Sequence, residues 1–401
     1  SMPAVNIAII GGGLVGASLA LALQQGARER GWRIALIEPF APGSEFQPSY
    51  DARASALAHG SELIYRRLGI WEQVAQRAES IRHIHVSEQG RFAAAELHAS
   101  QQQVSALGQV VENAWLGHCL WQALDDSLVQ WHCPARVTTM QAQQSGYRLQ
   151  LDTGETLDCE LAILADGGRS GLRQQLGIHC QQRSYQQTAI ITNVTPAQLH
   201  DGWAFERFTP DGPMALLPMV DNRFVLIWTR PPAEAERLAA LPEPAFLDAL
   251  QDCFGYRMGR FLQVGQRHLY PLALARSSEQ VRRNLVVLGN AAHSLHPIAG
   301  QGYNLSLRDA IALAGTLLAS SAPLGDLATL QGYVASQQRD QDLTIGFSDQ
   351  VTRLFSNHTP GLSQGRRLGL LGLELCPPAK NLFARQAMGL GSRPVTSRSF
   401  T

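Results

Sequence analysis

The sequence has little charge, and the charge that it has is balanced. Charged residues make up 16% of the 401 positions, below the roughly 25% of an ordinary soluble chain, and 33 basic side chains offset 33 acidic ones. A neutral chain has no overall electrostatic attraction for nucleic acid. Lysine occurs once, at Lys380, so a mechanism that needs a catalytic or Schiff-base lysine has a single candidate. Both scarcities therefore argue against nucleic-acid binding and against lysine chemistry.

Paired cysteines and long apolar runs are missing as well. The six cysteines are far apart and none forms a Cys-x-x-Cys pair, so we expect neither a zinc site nor a disulfide framework. This usage favours a reduced, cytoplasmic protein. The apolar run over residues 310–324 is shorter than the ~20 residues that cross a bilayer. We expect no transmembrane segment, while peripheral contact with the inner membrane stays open.

What is present is a succession of strand and helix patterns. An apolar run at 5–10 predicts a buried strand, residues 14–25 predict a helix and residues 33–37 a second strand, which together make a βαβ unit. Short β-rich runs between turn sequences at 190–229 predict a separate antiparallel sheet. Helical spacing also appears at 61–78, 104–128 and 304–320, and beyond 333. The predicted class is α/β (α+β), with a Rossmann-like lobe and a second, antiparallel-sheet domain.

Three glycines follow the first predicted strand in a GxGxxG pattern that includes Leu14 and Val15. Gly11 makes the tight turn, Gly13 lets a pyrophosphate approach the backbone, and Gly16 lets the helix pack close to the sheet. Glu38 ends the second strand, about 20 residues further on, where a carboxylate accepts hydrogen bonds from ribose hydroxyls and disfavours a 2′-phosphate. The pattern therefore predicts a bound dinucleotide, FAD or NAD rather than NADP.

Two later segments also follow predicted buried strands. One is Asp166-Gly167-Gly168-Arg169-Ser170-Gly171-Leu172-Arg173, and the other is Gly289-Asn290-Ala291-Ala292-His293, which continues into Pro297–Asn304. Each alone is compatible with a solvated turn. In this order after GxGxxG, they resemble the three signatures of the FAD-dependent aromatic hydroxylases, over essentially the whole chain. The resemblance implies FAD and the p-hydroxybenzoate hydroxylase fold.

Four further sets of residues narrow the resemblance: Asp51–Leu57, Ala106–Glu112, Phe205-Glu206-Arg207-Phe208 with Gly212-Pro213, and Gly289-Asn290-Ala291-Ala292 with His296–Gly302. They resemble the ubiquinone-biosynthesis hydroxylases, and most of all the UbiH type that acts on 2-octaprenyl-6-methoxyphenol. The resemblance implies a polyprenylated methoxyphenol as substrate, NADPH or NADH as a transient donor, and molecular oxygen that reacts through a flavin hydroperoxide. We also expect partner proteins of the same pathway.

The resemblance also assigns site residues. Asn290 stands where the family usually has Asp, and Arg173 assists the second signature. Four loop residues carry the catalytic expectation, because backbone N–H groups at a helix N-terminus would face the flavin: Pro297, Gly300, Gln301 and Gly302. No general base is assigned, although His296 is a candidate, and no metal site is predicted. The residues expected to hold FAD, non-covalently, are Gly11, Gly13, Leu14, Val15, Gly16, Glu38, Arg53, Gln109, Asp166, Gly167, Asn290, Gly302, Tyr303 and Asn304.

We expect a discontinuous FAD-binding domain (1–80, 100–180 and 275–335) and a substrate domain (81–99 and 181–274). A helical segment (336–395) and a disordered tail (396–401) would follow. An apolar patch at 368–375 would pack on the FAD domain or dock on a membrane or partner. The substrate pocket is expected between the 297–304 loop and the middle sheet, lined by Met214, Leu216, Leu217, Phe224, Leu226 and Trp228.

Other functions share this FAD-binding lobe. The same chemistry could act at another ring position or on another phenol. A non-catalytic flavoprotein of a quinone-synthesis assembly and a prenyl reductase are further alternatives. A flavin halogenase is disfavoured, because none of the seven tryptophans forms Trp-x-Trp.

Overall fold

The computed structural model describes residues 4–40, 54–89, 94–295 and 301–356. The helices in these ranges are α1 (Leu14–Arg30), α2 (His59–Arg67), α3 (Trp71–Ala75), α4 (Asn113–Ala123), α5 (Leu172–Gln175), α6 (Pro232–Ala239), α7 (Glu243–Phe254), α8 (Gln301–Ala319) and α9 (Leu327–Ser356). The strands are β1 (Val5–Ile10), β2 (Ile34–Ile37), β3 (Ala54–Leu57), β4 (Ala78–Ile81), β5 (His83–Glu88), β6 (Ala94–His98), β7 (Gly108–Glu112), β8 (Val129–His132), β9 (Val137–Gln143), β10 (Gly146–Leu151), β11 (Thr156–Leu164), β12 (Cys180–Pro196), β13 (Trp203–Thr209), β14 (Gly212–Met219), β15 (Arg223–Arg230), β16 (Phe261–Val264), β17 (His268–Ser277), β18 (Val281–Arg282), β19 (Leu285–Val287) and β20 (His293–Ser294).

The first sheet has the strand order β18-β19-β11-β1-β2-β8, with β10 and β9 attached beside β11. Strands β19, β11, β1, β2 and β8 are parallel. Ile7 and Ile9 pack in one apolar cluster with α1 and α8, while Ala8 and Ile10 pack in another on the opposite face. A parallel sheet buried on both faces requires such a continuous apolar run. The predicted βαβ unit is present as β1, α1 and β2.

Glycines let α1 lie close to its neighbours. A Cβ atom on Gly16 would be 2.0 Å from the carbonyl oxygen of Gly11, and one on Gly26 would be 2.2 Å from the side chain of Leu318 in α8. The helix ends at Gly31, which takes the left-handed conformation with φ 69° and donates its N–H to the last turn. Close packing of α1 against β1 and α8 thus depends on residues without side chains.

The second sheet has the order β20-β17-β12-β15-β14-β13-β5-β6, with β16 paired to β12. Its neighbours are antiparallel, as the sequence predicts, except that β13 and β5 are parallel. The reason is connectivity. Strands β13, β14 and β15 follow one another through tight turns, whereas β5 comes from a distant part of the chain and its direction is not set by a hairpin.

The two faces of the second sheet meet different partners. The helix face packs against α6 and α7, and its residues include Phe205, Leu216, Phe224, Leu226 and Trp228. The inner face packs toward a three-stranded sheet of order β3-β7-β4, and its residues include Ala189, Ile191, Ala204, Ala215, Leu217, Val225 and Ile227. Both faces are therefore buried.

One predicted helix is wrong in part. Residues 104–128 contain β7 and α4 rather than one helix, because Val110 and Val111 pair with β3 on one side and β4 on the other. β-branched residues suit that environment. Among the helices described, none is long and apolar enough to cross a membrane. The domain boundaries stay a prediction, and residues 368–375 and the tail lie outside the described ranges.

Candidate active site

A cavity of about 370 Å³ lies between the carboxyl ends of the first sheet and the inner face of the second. Residues that follow β1, β11 and β19 line one side, and Ile191, Val225, Ile227 and Tyr270 line the other. Ligands of parallel sheets bind outside the carboxyl ends of the strands. Its volume falls within the range of cofactor and ligand sites. Residues of the glycine motifs and residues of the second sheet therefore meet in one cavity.

The glycine turn after β1 forms the floor of this cavity. Gly11 has φ +115°, and a Cβ atom there would lie 2.1 Å from the carbonyl oxygen of Ala165, so only glycine fits. Gly13 caps α1 in an extended conformation, and it lines the cavity with Leu14 and Val15. Within the described residues no side chain caps α1, and its first turn has no acid. The helix N-terminus therefore presents N–H groups suited to a pyrophosphate.

Glu38 lies beside this turn and is almost fully buried. One carboxylate oxygen accepts the N–H of Gly12 at 2.9 Å, and the other accepts the N–H of Phe40 at 3.2 Å. Burial raises the pKa of Glu38, although these N–H groups and Arg136 and Arg169 oppose the shift. The second strand thus brings a carboxylate to the glycine turn, which fits an adenosine ribose.

The second signature mainly shapes its own turn. The Asp166 carboxylate accepts the N–H of Gly168 at 2.8 Å and that of Ser170 at 3.1 Å. Arg173 donates to the carbonyl oxygen of Ala291 at 2.7 Å and so ties the second signature to the third. Gly167 lines the cavity. A direct contact of Asp166 with the cofactor stays a prediction.

The third signature reaches the cavity through Asn290, Gly302 and Tyr303. Asn304, in contrast, uses its side-chain amide inside the protein. It accepts the N–H of Ala58 at 3.1 Å and donates to the carbonyl oxygen of Ala56 at 2.9 Å, so it joins α8 to β3 and α2. A cofactor contact of Asn304 stays a prediction.

None of the remaining predicted site residues is in the described lining of the cavity. Gln109 lies on β7, accepts a hydrogen bond from Ser80 at 3.2 Å, and is absent from the described lining of the cavity. Gln301 begins α8. Four predicted residues lie outside the described ranges: Arg53, His296, Pro297 and Gly300. Their roles stay predictions.

A buried hydrogen-bonded pair of a histidine and an aspartate next to the third signature was not predicted. His293 Nε2 lies 2.6 Å from Asp309 Oδ2, and both side chains are buried. Asp309 also accepts hydrogen bonds from Gln337 at 2.9 Å and Gln341 at 3.0 Å in α9. The pair joins the cofactor loop to α8 and α9. No local sequence pattern points to Asp309, because its partners come from two other segments of the chain, the loop at His293 and helix α9.

The predicted substrate-pocket lining is largely wrong. Of the six residues expected there, Leu217 alone is on the inner face, and none is in the described lining. The other five, Met214, Leu216, Phe224, Leu226 and Trp228, pack on the helix face. Strand alternation distinguishes the two faces of a sheet but does not tell which of them meets a cavity.

The inner face also carries a residue to which the sequence assigned no role. Glu206 lies on β13, and its side chain is 2% exposed. Its Oε2 atom has no hydrogen-bond partner in the described part of the chain. Burial raises the pKa of Glu206 well above its ordinary value. In the sequence, the only feature that drew attention to Glu206 was its place in the Phe205–Phe208 segment, which resembles the hydroxylase family.

The chain is similar in sequence, over almost its whole length, to flavoproteins of ubiquinone biosynthesis. A family profile described as an FAD binding domain matches residues 4–340. The ubiquinone hydroxylase UbiL of Rhodospirillum rubrum is 35% identical over 97% of this chain and 91% of its own length. The 3-demethoxyubiquinol 3-hydroxylase of Escherichia coli is 31% identical, with coverage of 96% and 98%. The human mitochondrial monooxygenase COQ6 is 27% identical, with coverage of 94% and 90%.

Solved structures support the fold. The p-nitrophenol 4-monooxygenase PnpA of Pseudomonas putida DLL-E4 superimposes with a TM-score of 0.76 at 16% identity, covering 97% of this chain and 99% of that one. HpxO of Klebsiella pneumoniae, solved with FAD and uric acid, gives 0.76 at 19% identity, with coverage of 97% and 98%. The predicted α/β class with an antiparallel second sheet is confirmed.

Fold and sequence similarity together define an FAD-dependent aromatic monooxygenase. Within that class, the chain belongs to the ubiquinone-biosynthesis hydroxylase family. The uncapped helix N-terminus, the buried carboxylate of Glu38 and the glycine-lined cavity all fit FAD.

Proposed function

We propose that this protein hydroxylates the ring of a polyprenylated methoxyphenol in ubiquinone biosynthesis, with NADPH or NADH as donor and molecular oxygen as oxidant. The observation that carries the proposal is the cavity shared by the glycine turn and the apolar inner face of the second sheet. The names of the relatives support the pathway. The UbiH type, which acts on 2-octaprenyl-6-methoxyphenol, is the specific reaction that we favour.

In this proposal FAD is held non-covalently along the cavity. The turn at Gly11–Gly16 would hold the pyrophosphate, and Glu38 would hold the adenosine ribose. The flavin end would lie near Asn290, Gly302 and Tyr303. Bound FAD would supply the redox chemistry, by which two electrons from a nicotinamide reduce molecular oxygen and one oxygen atom goes to the ring while the other leaves as water.

The protein's own groups would bind and orient the substrate. Val225, Ile227 and Ile191 present an apolar wall that excludes water from the reacting ring. The N-terminus of α8, which begins at Gln301, would stabilise negative charge at the edge of the flavin. No second glycine fingerprint occurs in the sequence, so the nicotinamide donor would bind transiently.

The test is NADPH oxidation by the FAD-loaded protein, with and without a short-chain prenylated methoxyphenol, under isotopically labelled oxygen. We expect stimulated oxidation and a product that has gained one labelled oxygen atom. Bound flavin with no stimulation by any phenol would contradict the proposal and favour a non-catalytic role in a quinone-synthesis assembly. The flavin content of each preparation is the control.

A second candidate is the same chemistry at another ring position. The name of the Escherichia coli relative, a 3-demethoxyubiquinol 3-hydroxylase, favours it. Parallel assays with a short-chain demethoxyubiquinol would separate the two, since the true substrate gives the larger kcat/KM and a product identified by NMR.

Because a prenylated phenol is lipophilic, we also propose that the protein works at the cytoplasmic side of the inner membrane, with other proteins of the pathway. Flotation with anionic lipid vesicles tests the membrane part. Protein that stays at the bottom of the gradient would contradict it.

A further inference from the structure

Arg169 is the one charged residue in the lining of the cavity, among the residues that the structure describes. It belongs to the second signature, shortly after β11 ends at Leu164, and its side chain is exposed. The rest of that lining consists of glycine, apolar residues and uncharged serine, asparagine and tyrosine side chains. A guanidinium presents a planar fork of N–H donors that matches the oxygens of a phosphate. The cavity therefore offers one cationic group to a negatively charged ligand.

The pairing of β11 with β1 brings the segment of Arg169 beside the glycine turn. Ala165, the first residue after β11, donates its N–H to the carbonyl oxygen of Ile10 at 2.8 Å. A Cβ atom on Gly11 would lie 2.1 Å from the carbonyl oxygen of Ala165, so the two turns are in direct contact. Gly167 and Arg169 then line the same cavity as the N-terminus of α1. A ligand bound at that N-terminus is therefore next to the second signature.

No carboxylate forms an ion pair with Arg169 in the part of the chain that the structure describes. Asp166, the acid nearest in sequence, uses its oxygens on backbone N–H groups of its own turn at 2.8 and 3.1 Å. Burial raises the pKa of Glu38 and Arg169 opposes this shift, so the guanidinium is close to that carboxylate. The oxygens of Glu38 bind backbone N–H groups at 2.9 and 3.2 Å. The guanidinium of Arg169 is therefore available to a ligand.

FAD at the glycine turn would bring more negative charge than the turn offsets. Both phosphates of the cofactor carry negative charge, whereas the N-terminus of α1 supplies roughly half a positive charge. No basic residue occurs in the sequence from Val5 to Ala27, and Glu38 places a carboxylate beside the turn. Charge of one sign in a partly buried site is costly unless an opposite charge compensates it. Arg169 is the described lining residue that can compensate it.

We propose that Arg169 binds the diphosphate of FAD through charge-assisted hydrogen bonds from its guanidinium. The proposal rests on the placement of FAD in the proposed function, and it does not depend on which phenol is the substrate. N–H groups at the start of α1 and N–H groups of Arg169 then share the phosphate oxygens. Because the side chain of Arg169 is exposed, this interaction is open to solvent and sensitive to salt.

The experiment measures the Kd of FAD for the flavin-free wild type and for Arg169→Gln, by flavin fluorescence at about 0.05 M and about 0.5 M NaCl. At low salt we expect the Kd of Arg169→Gln to be about 5- to 30-fold higher than that of wild type. This is the lower range for a hydrogen bond between charged groups, because the guanidinium is exposed. At high salt the difference should fall below about threefold, since ions screen an exposed charge.

Arg136→Gln is the matched control. Arg136 also opposes the effect of burial on the pKa of Glu38, but its guanidinium packs over the ring of Phe40 at 5.3 Å and is absent from the described lining of the cavity. Its removal should leave the Kd of FAD within about twofold of wild type. Arg169→Lys keeps the charge without the planar fork, so its Kd should lie between those of wild type and Arg169→Gln. Unfolding of the flavin-free proteins should be unchanged.

The outcomes are distinct. A wild type that does not bind FAD contradicts the placement of the cofactor in the proposed function. A wild type that binds FAD, beside an Arg169→Gln variant of equal affinity, overturns the role of Arg169 alone. So does an equal loss in Arg136→Gln, or an unchanged Kd of FAD with a raised KM for NADPH, which would assign the guanidinium to the nicotinamide donor. A salt-sensitive loss of FAD affinity confined to the Arg169 variants supports the proposal.

Discussion

The first and second sheets contribute to the cavity in different ways. The first sheet surrounds it with turns at the ends of its strands, where Gly13, Gly167 and Gly289 line the cavity. The second sheet covers it with side chains along its strands, such as Val225 and Ile227. The cofactor side is therefore built from local segments, and the substrate side from residues that are distant in sequence. Substitutions should accordingly act on backbone approach in one half and on side-chain shape in the other.

The largest effect is expected for Gly16→Val. The new Cβ would lie 2.0 Å from the Gly11 carbonyl oxygen, and α1 would have to move away from β1. We expect a loss of about 3 kcal/mol or more in the free energy of unfolding, together with the loss of FAD. Chemical denaturation and flavin absorbance per protein are the measurements. Gly332→Ala is the matched control, since nothing lies within 4 Å of its Cβ, and it should not destabilise.

Gly13→Val tests backbone approach on the cofactor side of the cavity separately from folding. Gly13 has φ −68°, which any residue can adopt, and it lines the cavity. We expect this variant to fold but to purify without flavin, because its side chain would block the pyrophosphate. Full flavin occupancy in Gly13→Val would contradict the assignment of the turn.

In the second sheet, two adjacent residues of β15 allow a test of its faces. Leu226 is fully buried on the helix face, whereas Ile227 lies on the inner face and lines the cavity. Leu226→Ala should cost about 2–5 kcal/mol of stability and leave KM for the phenol nearly unchanged. Ile227→Ala should raise KM several-fold at a smaller cost in stability. Equal effects of both on KM would show that the faces are not functionally distinct.

The smallest predicted effect concerns pH. Burial raises the pKa of Glu206 in the folded protein above the ordinary 4.5 that it has in the unfolded chain. At pH values between 4.5 and the raised pKa, the folded protein therefore binds more protons than the unfolded chain. Stability should therefore fall as pH rises through this window, by at most about 1.4 kcal/mol per pH unit. Urea denaturation between pH 5 and 8 should show a shallower fall for Glu206→Gln. Glu38, whose pKa is also raised, contributes equally to both proteins. Parallel curves would contradict the burial of an ionisable Glu206.

The sequence predicted the first sheet better than the second for a physical reason. Strand, glycine turn and helix are neighbours along the chain, so local patterns place β1 at Val5–Ile10 and start α1 at Leu14. In the second sheet, the face that meets the cavity depends on α6 and α7, which cover the other side and come later in sequence. Local patterns also gave no indication of Asp309, because its contacts reach back to His293 and forward to α9.

Parallel pairing of β13 with β5 has a consequence for synthesis of the protein. His83 pairs with Trp203, and in the first sheet Ala162 pairs with Leu285, so both sheets join early and late segments of the chain. A nascent chain on the ribosome would hold β5 without its inner neighbour until residue 203 has emerged. Contacts so distant in sequence form slowly, and unpaired apolar strands aggregate. We expect the last steps of folding to follow release from the ribosome, and the yield of folded protein to increase when chaperones shield the growing chain.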